Sequence, residues 1–214
     1  MNGGLLIYLM GPSGAGKDSL LAALRQIHVT ETENLLTAHR YITRPLDWQD
    51  SEQHIPLSEK EFKIRRQRGL FALDWRSHGH SYAIGIEAEL WMQKGFSVII
   101  NGSRQHLPQA RKKYAGWLEP LCLTASVDVL RKRLAARGRE NAEQIEQRIE
   151  RALDYQTGLP KDCRYLCNEG DILETSQRFL RLFQDITLAR KAGKPRFLAP
   201  LAPTEILFQK GRLI

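Results

Sequence analysis

Gly11-Pro12-Ser13-Gly14-Ala15-Gly16-Lys17-Asp18-Ser19 follows directly on the apolar run Leu5-Leu6-Ile7-Tyr8-Leu9-Met10 and leads into the helical pattern Ser19-Leu20-Leu21-Ala22-Ala23-Leu24. A buried strand that ends in a glycine loop and opens a helix is the context of a phosphate-binding P-loop. Loops with little side-chain bulk can turn successive N–H groups onto one anion, at the positive end of the following helix. Lys17 then reaches the outer phosphates of a nucleotide. The usual P-loop places Ser or Thr directly after the lysine to ligate magnesium; here Asp18 stands there, and Ser19 one residue further on. A carboxylate is also a magnesium ligand, directly or through water, so Asp18 and Ser19 are the candidate metal ligands.

Outward from that loop, short apolar runs alternate with amphipathic stretches, the signature of an α/β fold with a parallel sheet flanked by helices. The pattern predicts a strand over 35–43, a helix from the capping box Ser58-Glu59-Lys60-Glu61 to about Arg68, and a hairpin of 70–75 with 81–84 around His78-Gly79. A helix from Ile86 stops at Gly95, and Phe96-Ser97-Val98-Ile99-Ile100-Asn101 reads as a strand buried on both faces. Pro108 opens a helix through Tyr114, and 118–124 is the next strand. Ser126 caps a helix ending at Gly138, and another runs from about Asn141 to Tyr155. Residues 164–167 form the last strand, and Asp171-Ile172-Leu173-Glu174 caps a terminal helix through about Lys191. Past Gly193, Pro195, Pro200 and Pro203 forbid a helix interior, so that stretch is expected to be extended, packed across the domain or against a partner.

A chain of 214 residues with 42% hydrophobic content suits one catalytic domain plus a tail. No run of about 18 apolar residues and no basic-then-apolar leader is present, so a cytoplasmic protein without membrane attachment is expected. The net charge of +8 is uneven: residues 188–214 carry six lysines and arginines against Glu205 alone, a net of +5, which leaves +3 for the first 187 residues. A nearly balanced body with arginines near a P-loop suits small phosphorylated ligands better than nucleic acid. Cys122, Cys163 and Cys167 have no CxxC spacing and read as reduced thiols.

The P-loop together with Tyr41-Ile42-Thr43-Arg44 and the series Arg133, Arg137-Gly138 and Arg148 resembles the guanylate kinase-like family, over about residues 5–187. The resemblance implies a P-loop core, an acceptor-binding insertion over about 39–95 and an arginine-bearing lid over about 137–152, with 188–214 an extension outside it. It implies that Lys17, Arg133, Arg137 and Arg148 are catalytic and that Asn168 contacts adenine. Enzymes of that family that act on guanylate hold its phosphate with two arginines and tyrosines and read the base with Ser, Glu and Asp. Here Arg44 and Tyr82 match phosphate ligands, but the second arginine falls near Asp47 and the other tyrosine at His54. The base-reading serine aligns with Arg40, the glutamate with Leu73, and the acidic strand end with Asn101 and Ser103. Without carboxylates for the guanine N–H groups, selective recognition of that base is lost.

The replacements are cationic: Arg40, Arg44, His54, Arg104 and His106 suit an acceptor with two phosphates and no base. Within the family, His39-Arg40-Tyr41-Ile42-Thr43-Arg44, Asn101-Gly102-Ser103-Arg104 and Arg137-Gly138-Arg139-Glu140-Asn141 resemble the ribose 1,5-bisphosphate phosphokinases of bacterial phosphonate breakdown. That resemblance implies transfer from ATP, with magnesium, to ribose 1,5-bisphosphate, giving ADP and 5-phosphoribosyl 1-diphosphate. Charge alone reaches only a doubly phosphorylated small acceptor. A nucleoside monophosphate kinase keeps the same donor machinery but needs the missing carboxylates, and a non-catalytic guanylate kinase-like module typically has a degraded P-loop, whereas Lys17 and its glycines are intact.

Overall fold

Strand β1 (Leu6–Met10) sends alternate side chains into two layers. Leu5, Ile7 and Leu9 pack with Leu20 and Leu24 of helix α1 (Lys17–Gln26) and with Phe179 and Phe183 of helix α7 (Ile172–Lys191). Leu6, Tyr8 and Met10 face the other side, against Ala88 and Met92 of α3 (Glu87–Gln93) and Leu107 and Ala110 of α4 (Leu107–Tyr114). Each apolar side chain fully buried in this way contributes about 1.5–3 kcal/mol. The computed structural model describes residues 3–27, 34–46, 53–136, 138, 141–157 and 159–192.

β1 is the middle of a five-stranded parallel sheet in the order β2 (Leu35–Thr37), β7 (Ser97–Asn101), β1, β8 (Leu118–Thr124), β9 (Arg164–Cys167). From β1 the chain leaves through α1 on one face, and from neighbouring β7 through α4 on the other. Adjacent strands whose connections part to opposite faces leave a crevice at their carboxyl ends, where such folds bind ligands. The P-loop and Asn101 lie there.

A second sheet runs in the order β4 (Ile55–Pro56), β3 (Arg40–Ile42), β6 (His80–Gly85), β5 (Phe71–Ser77). Its register puts Arg40, Ile84 and Leu73 on one face with Ile42, Tyr82 and Trp75, while Tyr41, Ala83 and Asp74 share the other. Phe62 of α2 (Glu59–Gln67) packs with Ala83 on that second face. Helices α5 (Val127–Ala136) and α6 (Ala142–Thr157) pair through Leu130, Leu134, Ile145 and Ile149. Outside that contact Arg131 forks onto both carboxylate oxygens of Glu146, at 2.8 and 3.1 Å.

The capping signals act as expected. Ser58 Oγ accepts the Glu61 N–H at 3.1 Å, and Asp171 accepts from Leu173 N at 2.9 Å. Asn141 and Gln144 form a reciprocal box at the start of α6, a motif the sequence reading passed over. The predicted strand over 35–43 is corrected to two strands in different sheets, β2 and β3. The break falls at Ala38, whose N–H donates to Ile99 O before the chain crosses to the second sheet. The short edge strand β4 was also not expected. α7 extends to Lys191, so the first residues of the basic extension are helical; the tail past Ala192, Asp47 and Arg137 lie outside the described residues.

Candidate active site

The P-loop turns from β1 into α1 with Gly14 and Gly16 at φ 87° and 91°, a region L side chains avoid. At Gly16 a Cβ would also meet the Asn168 amide. Lys17 Nζ folds over the loop and donates to the carbonyls of Gly11 (2.8 Å) and Pro12 (3.0 Å). Gly11, Pro12, Gly14 and Ala15 are buried and Ser13 is exposed. Arg148 of α6 donates to Ser13 Oγ at 3.0 Å, which brings the expected lid arginine onto the loop.

Asn168 is 2% exposed, and its amide is committed on both sides. Nδ2 donates to Ala15 O at 2.8 Å; Oδ1 accepts from Thr175 Oγ1 at 3.1 Å and from Arg133 Nη2 at 3.2 Å. The sequence expectation was an adenine contact. In the structure this side chain holds the loop and aims Arg133, because its position just after β9 puts it beneath Gly16.

Asp18, at the first turn of α1, accepts from Asn101 Nδ2 at 2.8 Å and lines a small cavity with Asn101, Arg25 and Arg40. Arg25 is on the same face of α1 as Asp18 and Leu21, and donates to Ala38 O at 3.4 Å. The sequence reading missed it, although its spacing of seven from Asp18 was visible. Among the described residues no cluster of three or more His, Cys, Asp or Glu could hold a metal by itself. One carboxylate and the Ser19 hydroxyl beside a phosphate cradle fit a metal that arrives with a nucleotide, because magnesium usually takes one or two protein ligands, phosphates and water.

The face of the second sheet that carries Arg40 holds a ladder of flat groups. The Arg40 guanidinium lies 5.3 Å from the Tyr82 ring centre, Trp75 stacks on Tyr82 at 5.7 Å, and His106 stacks on Trp75 at 5.5 Å. Burial lowers the His106 pKa, opposed by the Asp74 carboxylate. His54, 5% exposed, donates from Nε2 to Arg44 O at 3.0 Å, since a carbonyl can only accept; its Nδ1 is buried with no partner among the described residues. Trp75 was not anticipated.

Arg104, expected on the acceptor, is engaged elsewhere. Its guanidinium covers the Tyr155 ring at 4.3 Å and donates to the carbonyls of Asp154 (3.2 Å) and Tyr155 (2.6 Å). The reason is local: the 3₁₀ turn Arg104–His106 faces the last turns of α6. Tyr155 also accepts the Gly11 N–H at 3.2 Å, and burial pushes its phenol pKa upward. Nothing in its sequence neighbourhood marked Tyr155. Ser103 is fixed through its backbone, which exchanges two hydrogen bonds with the buried Tyr8 hydroxyl at 3.0 and 3.1 Å. A Cβ on Gly102 would strike the Tyr8 ring.

A glycine cradle with its lysine, arginines converging from α5 and α6, and a cationic cleft on a second sheet define a P-loop kinase. The AAA domain family model matches residues 7–154. The chain superposes on guanylate kinase from Anaplasma phagocytophilum with a TM-score of 0.62 over 86% of this chain and 87% of that one; at 18% identity this likeness shows the fold. It is 53% identical over 177 residues to ribose 1,5-bisphosphate phosphokinase PhnN of Yersinia pestis, covering 83% of this chain and 90% of that protein. With the PhnN of Pectobacterium atrosepticum it shares 54% over 181 residues, covering 85% and 92%. The chain belongs to the ribose 1,5-bisphosphate phosphokinase PhnN family.

Proposed function

We propose that the protein transfers the γ-phosphoryl group of ATP to the 1-phosphate of ribose 1,5-bisphosphate, releasing ADP and 5-phosphoribosyl 1-diphosphate, as a step of phosphonate catabolism in the cytoplasm. The observation that carries this reading is the pairing of an intact phosphate cradle with a cleft whose base-reading positions hold Arg40, Leu73 and Asn101. The second sheet with α2 and α3 acts as the acceptor unit, over about residues 39–95. The segment 137–152, which includes the first turns of α6, acts as the lid.

An oxygen of the acceptor 1-phosphate attacks the γ-phosphorus, and the bond to the β–γ bridging oxygen breaks as ADP leaves. That oxygen is already ionised near neutral pH, so no strong base is required and catalysis reduces to alignment and charge neutralisation. Lys17 leaves the Gly11 and Pro12 carbonyls for the β- and γ-phosphates. Arg133, Arg137 and Arg148 neutralise the charge spread over the moving group. Asp18 and Ser19 are the residues that would hold a magnesium ion arriving with ATP, and such an ion would supply further screening of the phosphate charge. Arg44, Tyr82 and the Nδ1 side of His54 receive the reacting acceptor phosphate, while Arg40 suits the second. Lid closure excludes water, which would otherwise hydrolyse ATP. Among the described residues no helix is long and apolar enough to cross a membrane.

The test is the purified protein with ATP, magnesium and a panel of GMP, AMP, ribose 5-phosphate and ribose 1,5-bisphosphate, following ADP release and the phosphorylated product. Ribose 1,5-bisphosphate is expected to be the efficient acceptor. Efficient use of GMP with none of the bisphosphate overturns the substrate and favours a nucleoside monophosphate kinase; failure of every acceptor favours a binding module.

A further inference from the structure

We propose that the Asn101 side-chain oxygen accepts a hydrogen bond from a ribose hydroxyl of the sugar bisphosphate, so that Asn101 discriminates ribose from its deoxy analogues. The inference rests on the sugar bisphosphate reading of the site and adds which atoms of the sugar are read.

Asn101 is the last residue of β7 and is 3% exposed. Its neighbour in the site, Asp18, offers a carboxylate oxygen at 2.8 Å. A carboxylate can only accept, so the amide nitrogen must face Asp18 and the amide oxygen must face away. That oxygen is buried and has no partner among the described residues. A buried acceptor left without a donor is costly, and few native groups are left so without a reason. Asn101 also lines the small cavity shared with Asp18, Arg25 and Arg40, where a ligand can supply the missing donor.

The chemistry of the acceptor then selects the donor. Ionised phosphates carry oxygen lone pairs, which suit the guanidiniums of Arg25 and Arg40 and cannot donate to an amide oxygen. Beyond its phosphates, ribose 1,5-bisphosphate has a ring oxygen, which can only accept, and the 2- and 3-hydroxyls, which are its donors. Asn101 cannot swing away to avoid the requirement. Its amide is tied to Asp18, and the residues after it are tied to Tyr8 through Ser103.

The experiment compares kcat/KM for ribose 1,5-bisphosphate with that for its 2-deoxy and 3-deoxy analogues, in the wild-type chain and in Asn101→Leu. The wild type should use at least one deoxy analogue roughly tenfold to a hundredfold less well, as a site built around a substrate hydroxyl does. In Asn101→Leu that ratio should fall towards one while ribose 1,5-bisphosphate itself is used less well. The wild-type comparison needs no variant, so it stands even where Asn101→Leu does not fold. Equal use of all three acceptors by the wild type overturns the inference and leaves the kinase reading intact. A variant that keeps the wild-type discrimination but needs more magnesium also overturns it, because the amide would then serve a metal-bound water. A wild-type chain inactive on ribose 1,5-bisphosphate instead refutes the functional reading.

Discussion

Replacing Asn168 by alanine separates a framework role from nucleotide recognition. The wild-type amide makes three hydrogen bonds within the protein, to Ala15 O, Thr175 Oγ1 and Arg133 Nη2, at a site 2% exposed. Asn168→Ala leaves the Ala15 carbonyl without its donor; Thr175 can turn its single hydroxyl proton to Asp171 O, 3.1 Å away, so its hydroxyl loses less. An orphaned buried polar group costs about 1–3 kcal/mol, and a modest cavity adds to it, so we expect a loss of about 2–4 kcal/mol. For a domain of this size that lowers the thermal midpoint by roughly 5–15 °C. Urea unfolding should show the same loss at an unchanged slope. Arg133 loses its alignment, so kcat should fall more than the KM for ATP rises. Unaltered unfolding together with a raised KM for ATP would refute this account and return Asn168 to adenine binding.

Four further outcomes are expected. Lys17→Ala should cut phosphoryl transfer by about a thousandfold or more with little movement of the unfolding midpoint, because the lysine bonds the Gly11 and Pro12 carbonyls of the loop and is not part of the apolar core; near-normal turnover sinks the P-loop assignment. Truncation after Gly193 should leave turnover unchanged, and loss of activity in a folded truncation would place the tail in the site. The His106 ring, with its pKa lowered chiefly by burial, stays neutral in the fold where the unfolded chain takes up a proton. Stability should therefore be full above about pH 6.5 and decline as the pH falls below it, and His106→Phe should flatten that decline in pH-dependent melting curves. Burial, together with the Glu169 carboxylate beside it, pushes the Cys167 thiol up to about 11. Iodoacetamide at pH 8 should thus label Cys167 far more slowly in the native chain than in urea, as mass spectrometry would show.

Where local chemistry dictates structure, the sequence was readable. The strand, glycine loop and helix from Leu5 to Leu24 declare themselves, as do the Ser58 cap and the turn at His78-Gly79, where both residues adopt positive φ. The division of 35–43 between two sheets was not readable, because a β pattern carries no information about which partner strand it will meet. The site divides in the same way. Lys17 and Arg148 came from motif and resemblance, and the structure brings both to the loop. The tie of Asn168 to Ala15, the turn of Arg104 toward α6 and the Tyr155 bond to Gly11 join residues 50 or more positions apart. Pairings of that range depend on how layers pack rather than on spacing.

The pair of hydrogen bonds between Tyr8 and Ser103 has a consequence for accuracy. β1 delivers the P-loop from its end, and the same strand, through the Tyr8 hydroxyl, fixes the loop that follows Asn101. The P-loop and the loop after Asn101 are thereby surveyed from one benchmark, a five-residue strand with no exposed side chain. In a reaction where a misplacement of about 1 Å can cost a hundredfold, that shared origin keeps positional errors from adding up along the chain.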